Sequence, residues 1–318
     1  MTPTTLSTAS SNSQLRSTTP DSTHISECQL DEFEPYVHPG LTIGVDPAKG
    51  RWVTSKRSLR DGEVLLIDAP YALVPAMLAD EPPFQFCSRH DCNRRFLPGC
   101  ERSVACLRGC IAEAVWCDED CRVRDEKRHA MECAWLRLLA PDIRSTLGDS
   151  DFGLLWLIAR ILIVRQIEQQ QQRNTQVSSA EPSPTTAQPD DPSSSHFGRR
   201  GWDAVWNLAG HAGAFPAEQV SRWRRFAKLY LAVGLLRLDG VDTDEVVNLI
   251  CKVETNSFGL YPGVTGEYPV TSFISRGGYY GGGIYPTAAM FNHSCCPNVS
   301  LTASGTIHHS RLCYWISF

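Results

Sequence analysis

The chain has 318 residues, 42% of them hydrophobic, so it can bury a substantial core and holds one to three domains. Its formal net charge of -5 excludes a bulk positive field that would recruit it to nucleic acid, although a local basic face stays open. Thirteen cysteines, eight of them between Cys87 and Cys133, favour thiolate–metal ligation in a reducing compartment, nuclear or cytoplasmic, over a secreted disulfide framework.

The first 27 residues are rich in Ser and Thr and have no apolar run. They are predicted to form a disordered tail rather than a secretory signal or a core element. The longest apolar run, Phe152 to Val164, is interrupted by Arg160 and is shorter than the ~20 residues of a membrane span. A buried helix is therefore expected there, and no association with a membrane.

Residues 38–80 contain short apolar stretches split by Gly, Pro and Asp, a pattern typical of strands joined by tight turns. Within this segment, Lys49, Gly50 and Arg51 form a basic turn. Its backbone N–H groups and cations can face an anionic ligand group. Taken alone, the same turn is more often a solvated surface feature.

The segment from residue 84 to 133 is rich in potential metal ligands: Cys87, Cys92, Cys100, Cys106, Cys110, Cys117, Cys121, His129 and Cys133. Closely spaced pairs allow one turn to present two ligands of a zinc tetrahedron. His129 and Cys133, at i and i+4, share one face of a predicted helix that follows a shorter helix carrying Cys121. Two structural zinc ions are predicted, because metal-free cysteines would leave too little apolar sequence to form a core.

Residues 134–256 alternate between helical and irregular patterns. Residues 134–167 predict one or two helices, and residues 168–200, with a Gln run followed by Ser, Thr, Pro and Asp, predict a disordered low-complexity insertion. Helical periodicity returns in residues 201–250, where an aromatic stripe indicates packing rather than a ligand site. Asp244 to Val253 predicts a helix that leads into Asn256, and an Asn at such a position is usually a helix cap.

Residues 251–306 include a Gly-rich stretch, Gly281 to Pro286, and then the string Phe-Asn-His-Ser-Cys-Cys-Pro-Asn from Phe291 to Asn298. These residue types make turns and directed hydrogen bonds, so the string predicts a binding loop. Any one of them in isolation would indicate an ordinary turn.

The Phe291–Asn298 string resembles the hallmark segment of SET-domain lysine methyltransferases, and the Cys-rich block resembles a MYND zinc finger. Opening strands, an inserted finger, a helical insertion and the core segment follow one another in the order of the SET and MYND methyltransferases across residues 41–306. The resemblance implies an α+β fold, namely a SET-domain β-fold of short strands with an inserted MYND-type zinc finger and a helical insertion. A doubly wound fold has no support, because no G-x-G-x-x-G opens a strand-to-helix turn.

The resemblance also implies an S-adenosylmethionine site, with these residues at the family's cofactor positions: Lys49, Gly50, Arg51, Asn256, Asn292 and His293. Trp52 stands where the family's basic turn has Gly, which changes how the backbone can approach the cofactor. Tyr285 either lines the lysine channel or packs beside Pro286.

The family's interleaved pairing implies two zinc sites. Cys87, Cys92, Cys117 and Cys121 would hold one ion, and Cys106, Cys110, His129 and Cys133 the other. Cys100 is left over and can exchange roles with Cys92, while His90 is a weaker substitute.

The implied function is S-adenosylmethionine-dependent methylation of lysine in a histone or another protein, by a monomer that makes no sequence-specific contact with nucleic acid. The alternative is a non-catalytic zinc-finger adaptor that binds partner peptides. Residues 307–318 lack the acidic turn and the catalytic Tyr that the family has after its core segment, and Tyr314 is a poor candidate for that role. We therefore assign no catalytic residue and expect an atypical, truncated end with unpaired strand edges, weak or no cofactor binding and little methyl transfer.

Overall fold

The computed structural model describes residues 35–46, 50–77, 84–89, 92, 94–178, 200–210, 212–231, 236, 241–265, 277–294, 298–304 and 311–316. These residues belong to one compact unit, Phe33–Phe318. The predicted N-terminal tail lies outside the described residues.

The described strands are short and form five antiparallel sheets. They are β1 (Tyr36–Val37), β2 (Leu41–Asp46), β3 (Gly50–Ser55), β4 (Val64–Asp68), β5 (Ala72–Pro75), β6 (Gln85–Phe86), β7 (Arg95–Phe96), β8 (Val104–Ala105), β9 (Val115–Trp116), β10 (Ser257–Leu260), β11 (Val264–Thr265), β12 (Gly281–Ile284), β13 (Val299–Ser304) and β14 (Arg311–Ile316). The largest sheet has the order β1-β4-β14-β13-β11, a second has β10-β12-β5, and β2-β3, β6-β7 and β8-β9 are separate hairpins.

The described α-helices all lie between β9 and β10. They are α1 (Glu119–Arg124), α2 (Glu126–Leu147), α3 (Asp149–Ser178), α4 (Trp202–Trp206), α5 (Ala217–Phe226) and α6 (Thr243–Asn256), and α5 continues as a π-helical turn, Ala227–Leu231. The mixture of helices and small sheets agrees with the predicted α+β class. None of the helices in the described part is both long and apolar enough to cross a membrane.

Helix α3 corrects the sequence-based boundary of the low-complexity insertion. We predicted disorder from residue 168, but the helix continues to Ser178. Gln and Glu are good helix formers, so a polar run can extend a helix that is already nucleated by its buried half. Glu168 is anchored as well, because it accepts hydrogen bonds from the Tyr71 hydroxyl at 3.2 Å and the Trp202 N–H at 3.0 Å. Residues 179–199 lie outside the described residues.

The sheet β10-β12-β5 separates two hydrophobic cores. On one face, Val74 and Ile284 join the larger core, which includes α2, α3, α5 and α6. On the other face, Leu73 and Leu260 join a smaller core with β4. Side chains alternate between the faces of a strand, so adjacent residues of β5 serve different cores.

The glycines of β12 allow its neighbours to approach closely. A Cβ on Gly283 would lie 2.2 Å from Leu73 Cδ2 and 2.7 Å from the Ala72 carbonyl oxygen, distances that no real side chain could keep. The run Gly281 to Gly283 therefore has a packing reason in this sheet.

The C-terminal segment differs from our expectation of an atypical end with unpaired edges. Arg311–Ile316 form β14, which pairs with β13 on one side and with β4 on the other. The β-branched and aromatic residues in this segment favour a strand.

Candidate functional site

The first ligand cluster brings together the sulfur atoms of Cys87, Cys92, Cys117 and Cys121, all within 4.8 Å of one another. Cys87 and Cys92 lie in the sequence between β6 and β7, Cys117 directly follows β9, and Cys121 lies on α1. Asp118 caps α1 by accepting the Cys121 N–H at 2.8 Å, which orients the helix so that Cys121 faces inward. The structure thus places together the four cysteines of the first predicted set.

The second cluster brings together Cys106, Cys110, His129 and Cys133, again within 4.8 Å. His129 and Cys133 lie on one face of α2, as their spacing predicted. His129 Nε2 lies 3.2 Å from Cys106 Sγ and 3.7 Å from Cys110 Sγ, so this nitrogen faces the sulfur atoms. Cys100 belongs to neither cluster, and His90 lies outside the described residues.

The crowding of sulfur atoms requires a cation if all are to ionise. Burial and the neighbouring sulfurs raise the pKa of Cys110 and Cys133. Burial would also raise the pKa of Cys106, but the Cys110 backbone N–H and the neighbouring His129 ring lower it to about 6. A divalent ion with a preference for four soft or borderline ligands, such as zinc, fits both donor sets.

A separate polar cluster forms where three distant side chains donate to consecutive backbone carbonyls after α4. The Arg51 guanidinium donates to the Asn207 carbonyl, Lys252 Nζ donates to Leu208 O at 2.6 Å, and Asn256 Nδ2 donates to Ala209 O at 2.6 Å. Two of the predicted cofactor residues, Arg51 and Asn256, therefore meet on one short segment, although they are far apart in sequence.

Lys252 is the residue of this cluster that sequence analysis missed. It is 8% exposed, and its Nζ lies 5.3 Å from the centre of the Trp206 ring. Burial lowers the pKa of Lys252, and the nearby positive charge of Arg51 adds to this effect. Within the described part of the chain, no acidic side chain forms an ion pair with it. A Lys one turn before the predicted Asn was the available clue.

The third predicted segment, which contains Asn292 and His293, follows a 3₁₀ turn at Ala288–Met290 that contacts β3. Asp68 fixes the start of this turn, because its carboxylate accepts the Ala288 N–H at 2.8 Å. Burial raises the pKa of Asp68 to about 6, against the effect of hydrogen bonds from Ala288 and Thr287. Asn292 and His293 are exposed.

Trp52 does not project toward the Arg51 cluster. Arg51 and Trp52 are adjacent on β3, so their side chains point to opposite faces of the hairpin. The indole covers Gly44, its cross-strand partner, where a Cβ would lie 2.5 Å from Trp52 Nε1. The Trp52 side chain therefore packs on the face of the hairpin opposite Arg51. Lys49 lies outside the described residues, whereas Gly50 begins β3 with a φ of 73°.

Strand β10, which directly follows Asn256, has Tyr285 on one side and a cavity on the other. Tyr285 is fully buried and packs edge-to-face on Phe258, with ring centres 5.9 Å apart, so it is a packed residue. On the other side of the sheet, a cavity of about 180 Å³ borders Ser257 and Gly282. The cavity therefore borders the residue that directly follows Asn256.

Comparison with known proteins relates the chain to methyltransferases. No protein-family model matches it. It is 25% identical to histone-lysine N-methyltransferase ASHR1 of Arabidopsis thaliana over 256 residues, which is 80% of this chain and 42% of that protein. It is 22% identical to N-lysine methyltransferase SMYD2 of Sus scrofa, and equally to that of Bos taurus, over 279 residues, 86% of this chain and 50% of theirs. The chain spans half the length or less of these relatives, and its similarity to these lysine methyltransferases is distant.

Proposed function

We propose that the chain is an S-adenosylmethionine-dependent protein-lysine N-methyltransferase, with a SET-type β-fold, a MYND-type finger that holds two structural zinc ions, and a helical insertion. The observation that carries this proposal is the meeting of Arg51, Lys252 and Asn256 on the carbonyls of residues 207–209. The similarity to lysine methyltransferases supports it at a coarser level.

The cluster suits the amino-acid part of the proposed cofactor. Arg51 has five N–H donors and Lys252 has three, so each keeps donors beyond the single backbone carbonyl described for it. Two buried or half-buried cations without an acidic partner among the described residues favour a carboxylate ligand. The side chains of Asn256 and the exposed Asn292 would form further hydrogen bonds with the amino-acid part of the cofactor.

S-adenosylmethionine, when bound, supplies a methyl group on a sulfonium. The protein's task is to present a neutral lysine amine in line with that group, because a Lys with a pKa near 10.4 is protonated at neutral pH. Apolar walls lower the pKa of an entering amine by desolvation, and Phe258 provides such a wall two residues after Asn256. The proton is then lost to solvent before the N–C bond forms.

The test is a calorimetric titration of the 318-residue chain with S-adenosylmethionine, followed by transfer of labelled methyl to a panel of lysine-containing proteins. Asn256→Ala should weaken cofactor binding about tenfold or more, since the half-buried Asn256 side chain would no longer hydrogen-bond the cofactor. Asn248→Ala, an exposed substitution on the same helix, is the matched control and should bind normally. Absence of cofactor binding by the unmodified chain would contradict the proposal.

A second candidate function, peptide binding by the finger, is favoured by one specific feature. A groove of about 490 Å³ on the finger is lined mainly by Phe84, Phe96, Leu97 and Pro98, and Leu97 is 63% exposed. Leu97→Asp should abolish binding in a peptide-array screen while leaving cofactor binding intact. Equal peptide binding by the wild-type chain and by Leu97→Asp would show that the groove is not the peptide-binding site.

A further inference from the structure

Glu132 is a buried carboxylate beside the second ligand cluster, and neither predicted zinc site includes it. It lies on α2 between His129 and Cys133 and is fully buried. Its Oε1 is 3.4 Å from His129 Nδ1. A carboxylate only accepts hydrogen bonds, so His129 Nδ1 carries the proton and Nε2 keeps its lone pair for a metal.

Two arginines hold Glu132 from different helices. Arg160, on α3 and 2% exposed, donates from Nη2 to Glu132 Oε1 at 2.9 Å, and Arg128 Nη1 forms an ion pair with the same oxygen at 2.8 Å. The Trp156 indole N–H approaches Oε2 at 3.4 Å. Burial would raise the pKa of Glu132, but the two guanidinium groups lower it well below its usual range.

Arg160 also connects this group to the sheet between the two cores. Its Nη1 donates to the Leu73 carbonyl at 2.6 Å, and Leu73 pairs with Gly283 across β5 and β12. A continuous path of hydrogen bonds therefore runs from His129 through Glu132 and Arg160 to the backbone of β5.

The charges of this buried group balance. Asp125 pairs with Arg128 at 2.6 Å, so two carboxylates face two guanidinium groups, and all four side chains are at most 3% exposed. A purely structural ion-pair network would need nothing more. It would not, however, require a carboxylate oxygen on the ring nitrogen of a metal ligand. Histidines that bind metals commonly donate their second N–H to such a group, which sets the orientation of the ring.

We propose that Glu132 is the positioning residue of the second metal site: it orients His129 toward the ion and, through Arg160, ties that site to strand β5. Occupancy of the site then stabilises the sheet β10-β12-β5, whose strand β10 directly follows Asn256. This inference rests on the metal binding in the proposed function and not on methyl transfer.

The experiment measures zinc affinity by competition with a chromophoric chelator, using the full chain. Glu132→Gln should weaken one of the two zinc sites about 10–100-fold. Cobalt(II) spectra identify the weakened site, because Cys₃His and Cys₄ sites absorb differently. Glu126→Gln, an exposed substitution on the same helix, is the control and should leave both affinities unchanged.

A charge-balanced double variant separates positioning from general stability. Glu132→Gln with Arg160→Met leaves the Asp125–Arg128 pair intact, so folding should recover even if the single variant is unstable. Zinc affinity of the second site should stay reduced in the double variant. Its return to the wild-type value would show a merely structural role and overturn the proposal, as would unchanged affinity in Glu132→Gln.

Hydrogen exchange tests the connection to the sheet. Removal of zinc from the wild-type chain should increase amide exchange in Ala72–Pro75, and this response should be lost in Arg160→Met. An identical response in both proteins would overturn the coupling through Arg160. If the wild-type chain binds zinc only at the first site, this inference is wrong. The proposed methyl transfer would still be tested separately, by the cofactor titration.

Discussion

Substitution of Gly283 by Ala tests the close packing of β12 against β5. The new Cβ would lie 2.2 Å from Leu73 Cδ2 and 2.7 Å from the Ala72 carbonyl oxygen. Leu73 is 2% exposed and has little room to rotate, while the carbonyl belongs to the paired backbone and can yield only if the strands separate. Overpacking typically costs 1–3 kcal/mol, and contact with backbone places this site at about 3 kcal/mol.

The assay is urea unfolding followed by tryptophan fluorescence, together with thermal unfolding in the presence of zinc. The expected loss corresponds to a decrease in Tm of roughly 5–10 °C. Gly213→Ala is the matched control, because its Cβ would meet nothing within 4 Å, and its stability should change by less than about 0.5 kcal/mol. If Gly283→Ala and Gly213→Ala unfold at the same urea concentration and temperature, the packing argument for the glycines of β12 is wrong.

Three further predictions concern metal, pH and the Trp52 hairpin. Metal analysis should find about two zinc ions per wild-type chain and about one in Cys106→Ser, and a wild-type value well below two would contradict the paired clusters. The pKa of Asp68 is about 6 in the folded chain and about 3.8 in the unfolded chain, so the folded state takes up the proton first as pH falls. When pH falls from 7.5 to 5.5, the free energy of unfolding of the wild-type chain should therefore rise by about 0.8 kcal/mol relative to that of Asp68→Asn. A difference between the two proteins that does not change with pH in urea titrations would refute this. Gly44→Ala should destabilise the wild-type chain but not a chain that carries Trp52→Gly, with a coupling energy of roughly 1 kcal/mol in a double-mutant cycle. Additive effects of the two substitutions would show that the Trp52 indole moves aside without cost.

Sequence patterns were sufficient for the local parts of the candidate site. The spacing of His129 and Cys133 predicted one face of a helix, and α2 places them so. The helix before Asn256 was also predicted, and α6 includes it. Such patterns succeed because helix and strand periods determine which nearby side chains share a face. They failed at residue 168, where helix propagation from a buried segment outweighed the polar composition.

Only the tertiary structure decided which distant groups meet. Arg51, Lys252 and Asn256 converge on the carbonyls of residues 207–209, and Glu132 reaches both His129 and, through Arg160, strand β5. Periodicity specifies that a face is buried, but it does not specify the partner, which depends on contacts between segments far apart in the chain. The sequence by itself determined the metal-ligand types, the α+β composition and the local helices. The arrangement of buried charges, and with it the connection between the second ligand cluster and the sheet, followed from long-range packing, because a buried charge is stable only where the fold brings its partner.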